Sequence, residues 1–223
     1  MWRDAVLVAG KDLRIEARSK VGLSQVAPFG IVALALFAFA LGPDRLLMAK
    51  GAPGLFWVAL LFSTVLAVQR SVSVESSDGA RDGLRLSGID PAGLYLGKAA
   101  AIAAQLVILE ALLAIGVVLL YGARIEVPWL VVASSALGTV GLAATGTLYG
   151  ALSSGLRVRE TLLPFLLLPI VAPVLLAGTR VWQAAMAGGT PSDGTQWLRL
   201  LFVFDAVYVA VGVALFGPIQ ETA

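Results

Sequence analysis

Two carboxylates lie where an apolar chain should not carry them. Glu110 sits within QLVILEALLAI and Asp205 within LLFVFDAVYVA. An ionised acid at the centre of a bilayer costs about 2.5–3.5 kcal/mol on insertion scales, so such residues usually face a partner or a water-filled path. Gln105, one turn before Glu110, and Tyr208, three residues after Asp205, are the nearest candidate partners in sequence. A substrate path or subunit contact and a protonated acid bonded between helices both fit these two acids. Other chemistry is excluded more firmly. The chain has no His and no Cys, which removes the commonest metal ligand and general base, together with disulfides and thiol nucleophiles. No cofactor is therefore expected to be bound directly by His or Cys.

The second concentration of reactive side chains is RSVSVESSDGARDGLRLSGIDPAGLYLGK, residues 70–98, with Glu75, Asp78, Asp82 and Asp90 beside Arg70, Arg81, Arg85 and Lys98. Two enzyme motifs fail there. A phosphate loop needs four residues between its glycines and a Ser or Thr after the Lys. Only three residues separate Gly93 from Gly97, and Ala99 follows Lys98. The run from Asp78 to Asp82 looks like the start of the metal motif of membrane CDP-alcohol phosphotransferases, but it lacks the spacer and the two further aspartates. What remains is a pair of turns, Asp78-Gly79 and Asp82-Gly83, and a short apolar set, Leu84, Leu86 and Ile89, before Asp90-Pro91. The expected geometry is turn, short helix, turn, then re-entry into the membrane. A connection this long is more often functional than idle.

The elements that hold these residues are set by composition. Of 223 residues, 59% are hydrophobic and 13% charged, with 16 Lys+Arg against 14 Asp+Glu. Soluble domains carry about a quarter charged residues, so a soluble enzyme is excluded, and a net charge of +2 spread along lipid-facing segments makes no nucleic-acid surface. Each helical span needs about 20 apolar residues. Six stretches qualify: 22–41, 52–69, 99–121, 128–152, 161–178 and 198–217. Trp57, Trp129 and Trp197 lie near their ends, where indoles favour the headgroup zone. Residues 1–21 are too charged to span. Trp2, Val6, Ala9, Leu13 and Ala17 share one helical face, with Arg3, Lys11, Arg14, Arg18 and Lys20 between, the pattern of a helix lying in the membrane interface. Eleven Lys/Arg fall on the side of the N-terminus, the 70–98 segment and the 153–160 loop, and five on the other. The first side is therefore cytoplasmic, and with six spans so is the C-terminus.

Two stretches suggest how the spans pack. Pro164, Pro169 and Pro173 in the fifth remove backbone donors and predict kinks or partial unwinding. Gly146 and Gly150, with Gly138, Gly141 and Ala143, make the fourth a close-packing helix. Residues 179–197 form an outer loop whose apolar first half can dip back into the interface. The chain thus reads as one all-α integral membrane domain over 1–223, with six transmembrane helices behind an N-terminal interfacial amphipathic helix.

This order of parts resembles an ABC-2-type exporter permease. Three stretches, KDLRIEARSK, ESSDGARDGLRLSGIDPAGLYLGK and GGTPSDGTQWLRLLFVFDAVY, resemble the cytochrome c maturation permease family known as haem exporter protein B (CcmB). The middle stretch is the most specific: Asp78-Gly79, Gly83-Leu84, Ile89-Asp90-Pro91 and Leu96-Gly97-Lys98 fall in family order. Members often read Leu-Glu where this chain has Arg81-Asp82, and Ser-Pro where it has Ser87-Gly88. The resemblance implies a non-catalytic subunit of an ABC-2 exporter-like bundle in the bacterial inner membrane. ATP would be held by a separate cytoplasmic ABC ATPase of the CcmA type, haem would be the cargo, and companion membrane subunits would handle the haem and its chaperone. A second permease copy is a further possible partner. It assigns ATPase coupling to Glu75, Asp78, Gly79, Asp82, Gly83, Leu84, Arg85, Ile89, Asp90 and Pro91. Without the motifs, the same bundle would suit export of lipid, polysaccharide or drug, and an intramembrane enzyme using Glu110 and Asp205 ranks last.

Overall fold

A bilayer core offers the backbone no water, so an isolated apolar run satisfies its peptide groups by forming a helix. The computed structural model describes residues 1–19, 21–76, 88–153, 159–186 and 190–222. Its helices in chain order are α1 (Trp2–Ser19), α2 (Val21–Leu41), α3 (Arg45–Ser76), α4 (Pro91–Tyr121), α5 (Pro128–Ser153), α6 (Arg159–Ala185) and α7 (Pro191–Thr222). Ile125 and Met186 make an isolated bridge, and among the described residues there is no strand. Stretches within α3 to α7 are long and apolar enough to cross a membrane, and Val26–Leu41 of α2 is a shorter apolar segment. The chain is an all-α membrane protein.

The helices run past the apolar stretches because polar caps extend them. Asp44 accepts from the amides of Leu46 and Leu47 at 2.9 and 3.1 Å, so α3 starts at Arg45 rather than near 52. Asp90 caps α4 by accepting from the Ala92 amide at 3.2 Å, with Pro91 in the first turn. The long connection expected at 70–98 is correspondingly shorter, since its first seven residues end α3 and its last eight open α4. At the other end of the bundle, α6 continues to Ala185, and the Thr190 hydroxyl and Asp193 carboxylate close the first turn of α7. The apolar start of the expected 179–197 loop is thus the end of α6. The backbone stays helical through Pro164, Pro169 and Pro173.

Trp57 corrects one expectation. It is not at a headgroup boundary but 1% exposed in the core, because α3 begins twelve residues earlier. Its ring fills the space left by two glycines: a Cβ on Gly138 or Gly178 would stand 2.2 or 2.4 Å from it. Phe56 beside it stacks on Trp182 at 4.0 Å.

The middle of the bundle is α5, which touches α3, α4, α6 and α7. Gly146 and Gly150 receive Val68 and Val72 of α3, so the glycine pair serves packing within the chain. The buried hydroxyls of Ser63, Thr64, Thr145 and Thr147 each donate to a carbonyl four residues back in their own helix, which lets them sit inside an apolar bundle.

Candidate functional site

Two regions carry the polar side chains, and the first is the seat of α1. This helix has three faces. Ala5 and Val8 are buried against α4, while Trp2, Val6 and Leu13 are exposed on a second flank and Arg3, Lys11, Arg14 and Arg18 on a third. The apolar stripe legible in sequence is therefore turned outward. The face that holds α1 in place consists of smaller residues.

What receives it is the pair Gly93 and Gly97, one turn apart on α4. A Cβ on Gly93 would lie 2.7 Å from the Met1 carbonyl oxygen, and one on Gly97 would lie 2.6 Å from Val8 Cβ. The spacing that fails as a phosphate loop succeeds as a helix-packing pair. Asp4 Oδ2 accepts from the Asp90 amide at 3.4 Å, and the Met1 ammonium lies 3.3 Å from both Asp4 and Asp90. Asp4 first, and also Asp90, raise the pKa of that ammonium above its ordinary value, with burial opposing them. Arg70 Nε lies 3.3 Å from Glu16 Oε2 and ties the end of α3 to the same helix.

Of the residues assigned to ATPase coupling, Ile89 packs beside Val8 and Leu94, Asp90 is the cap, and Pro91 opens α4. Glu75 lies in the last turn of α3, where only the backbone is described. Asp78, Gly79, Asp82, Gly83, Leu84 and Arg85 lie outside the described residues. From this end Tyr95 reaches inward. Its hydroxyl donates to the Ala144 carbonyl of α5 at 3.1 Å and approaches the Tyr208 carbonyl of α7 at 3.4 Å. Gly212 admits the ring, since a Cβ there would be 2.1 Å from it.

The second region is a polar belt around residues 138–141 of α5. Glu110 projects from α4, and the Thr139 hydroxyl is the polar group beside it, both side chains being buried. Asp205 projects from α7 onto Gly141, where a Cβ would stand 2.6 Å from its Oδ1. Both Asp205 oxygens are buried without a partner. The two acids thus meet the same short stretch of α5 from nearly opposite faces, since two residues turn the helix by about 200°.

Of the partners expected from sequence, Tyr208 lies within electrostatic reach of Asp205 but gives its hydroxyl to another group. Tyr208 donates its hydroxyl to the Ile170 carbonyl of α6, and Gln105 lines a separate apolar cavity of about 790 Å³ with Leu13, Ala17, Pro28, Ile31 and Leu109. Sequence reasoning missed Thr139, Trp57 and the Gly93–Gly97 pair. The four-residue glycine spacing was the available signal for the last.

The family model described as CcmB protein matches residues 3–217. The chain is 31% identical over 193 residues to "Heme exporter protein B" of Paracoccus denitrificans (strain Pd 1222), covering 86% of this chain and 88% of the relative. It is 31% identical over 199 residues to the protein of that name from Pseudomonas aeruginosa, with 87% of each covered. A third relative of the same name, from Bradyrhizobium diazoefficiens, is 29% identical over 204 residues, 91% of this chain and 90% of the relative. A match over nearly the whole length, on an all-helical membrane bundle, places this chain in the CcmB family.

Proposed function

We propose that this chain is the permease subunit of an ABC-type complex acting in haem export for cytochrome c maturation, and that it contributes no catalytic centre of its own. The observation that carries this reading is the family match over residues 3–217, together with relatives named as haem exporters across most of their length. A chain without His or Cys suits a division of labour in which companion membrane subunits supply ligands for haem iron. ATP hydrolysis then belongs to a separate cytoplasmic ATPase, and a second permease copy completes the unit. The outcome is export of haem or release of a haem-loaded chaperone. The excess of Lys/Arg favours cytoplasmic termini in the inner membrane.

In this reading the connection between α3 and α4 docks on the ATPase. Leu84 and Ile89 make the apolar contact, and Asp78, Asp82 and Arg85 flank it. The attachment of Asp90 and Gly93 to α1, and of Tyr95 to α5 and α7, supports a route by which a push on this connection reaches the bundle.

Leu84→Asp tests it, because an unpaired charge in an apolar contact is strongly unfavourable. The variant is expected to reach normal membrane abundance while ATPase co-purification and covalent haem on cytochrome c both fall. Unchanged values of both would reject docking at this connection.

A further inference from the structure

The belt around residues 138–141 contains more unmatched polar atoms than packing accounts for. Trp57 Nε1 and both Asp205 oxygens are buried without hydrogen bonds. Each belongs to a side chain pressed against α5 at this level: Trp57 on Gly138, Asp205 on Gly141. In a hydrocarbon interior every such atom is costly, and an ionised one most of all.

Asp205 is the extreme member. It is 4% exposed, and no ion pair among the described residues involves it. From α5 it meets Gly141, with Tyr149 the titratable group on that helix near Tyr208. From α6 it meets the Val174 side chain around the same glycine. Of the three phenols on α4 and α7, Tyr95 is occupied with the carbonyls of Ala144 and Tyr208, Tyr121 with that of Leu34, and Tyr208 with that of Ile170. The nearest cation on its own helix, Arg199, is six residues away, roughly 9 Å along the axis. A carboxylate so placed has neither counter-charge nor donor. A carboxylic acid there carries no charge and fits the same space.

We propose that the Asp205 carboxyl is a reversible proton-binding site, holding a proton in this arrangement and releasing it to water when α7 parts from α5 at Gly141. The contact at Gly141 has no interlocking side chain on the α5 side. Water entering there meets both unmatched oxygens of Asp205. In the parted arrangement the O–H bond breaks, the proton passes to water and the carboxylate is hydrated; closure takes a proton back. The release step rests on the permease reading, whereas the resting protonation does not.

Two measurements on the full chain in lipid vesicles test the proposal. Infrared spectra of wild type and Asp205→Asn at neutral pH are expected to show one carboxylic-acid carbonyl band that the substitution abolishes. Asn keeps the shape and cannot ionise. Dicyclohexylcarbodiimide, which adds the acid O–H across a C=N bond and rearranges to a stable N-acylurea, reports the same state in wild type alone by peptide mass. An adduct on Asp205 is the expected result. Absence of both the band and the adduct overturns resting protonation. With the partner ATPase and ATP added, labelling is expected to fall several-fold. A rate unchanged by turnover, in a complex that still matures cytochrome c, overturns release while leaving the permease reading intact. Loss of ATPase binding to the wild-type chain would instead defeat that reading, with the infrared result still standing.

Discussion

Gly97 of α4 and Val8 of α1 approach so closely that a methyl group on the glycine would stand 2.6 Å from Val8 Cβ. This contact, with its neighbour at Gly93, attaches α1 to the helix that follows the α3–α4 connection. Contacts of α1 with α2, the next helix in the chain, are sparse by comparison.

Gly97→Leu is therefore expected to lift α1 from α4, at a cost of about 1–3 kcal/mol as an overpacked contact. Hydrogen exchange in the α1 amides should accelerate while the α4 to α7 core stays protected. Uniform loss of protection would show that α1 is integral to the core.

Asp90→Ala removes the cap of α4 and the anionic partner of the Met1 ammonium. Losing such a cap costs about 0.5–2 kcal/mol. Asp90→Asn keeps an acceptor for the Ala92 amide and should recover most of that loss. Thermal unfolding in detergent micelles, compared across the two variants, checks the order.

Trp57→Ala empties the space between Gly138 and Gly178. Truncating a buried Trp costs about 3–5 kcal/mol, and the Phe56 ring loses its edge contact at 5.5 Å. The lowered unfolding temperature should be accompanied by a change in the near-ultraviolet dichroism of Trp182, which stacks on Phe56.

Much of the architecture was legible in sequence because lipid imposes a simple rule: apolar runs of about 20 residues become helices. Helix ends were less so, since they are decided by single caps such as Asp44 and Asp90 and not by hydropathy. The packing face of α1 was hidden behind its stronger apolar stripe. Ala5 and Val8 give little signal against Trp2 and Leu13, although they make the contact. Trp57 was misplaced because its burial depends on glycines 81 and 121 residues downstream. Glu110 and Asp205 were identified by type alone. Their neighbours were not, because Thr139 and Gly141 lie on another helix and the nearest polar residue in sequence pointed elsewhere.

The seat of α1 also sets an order of events during synthesis. Val8 and Gly97 are 89 residues apart, so at about 5–20 residues per second the ribosome needs roughly 4–18 s to make the surface that α1 rests on. Until then Ala5 and Val8, the residues α1 later buries, have no α4 to pack against. A seat built from such small residues leaves little apolar surface uncovered during that interval.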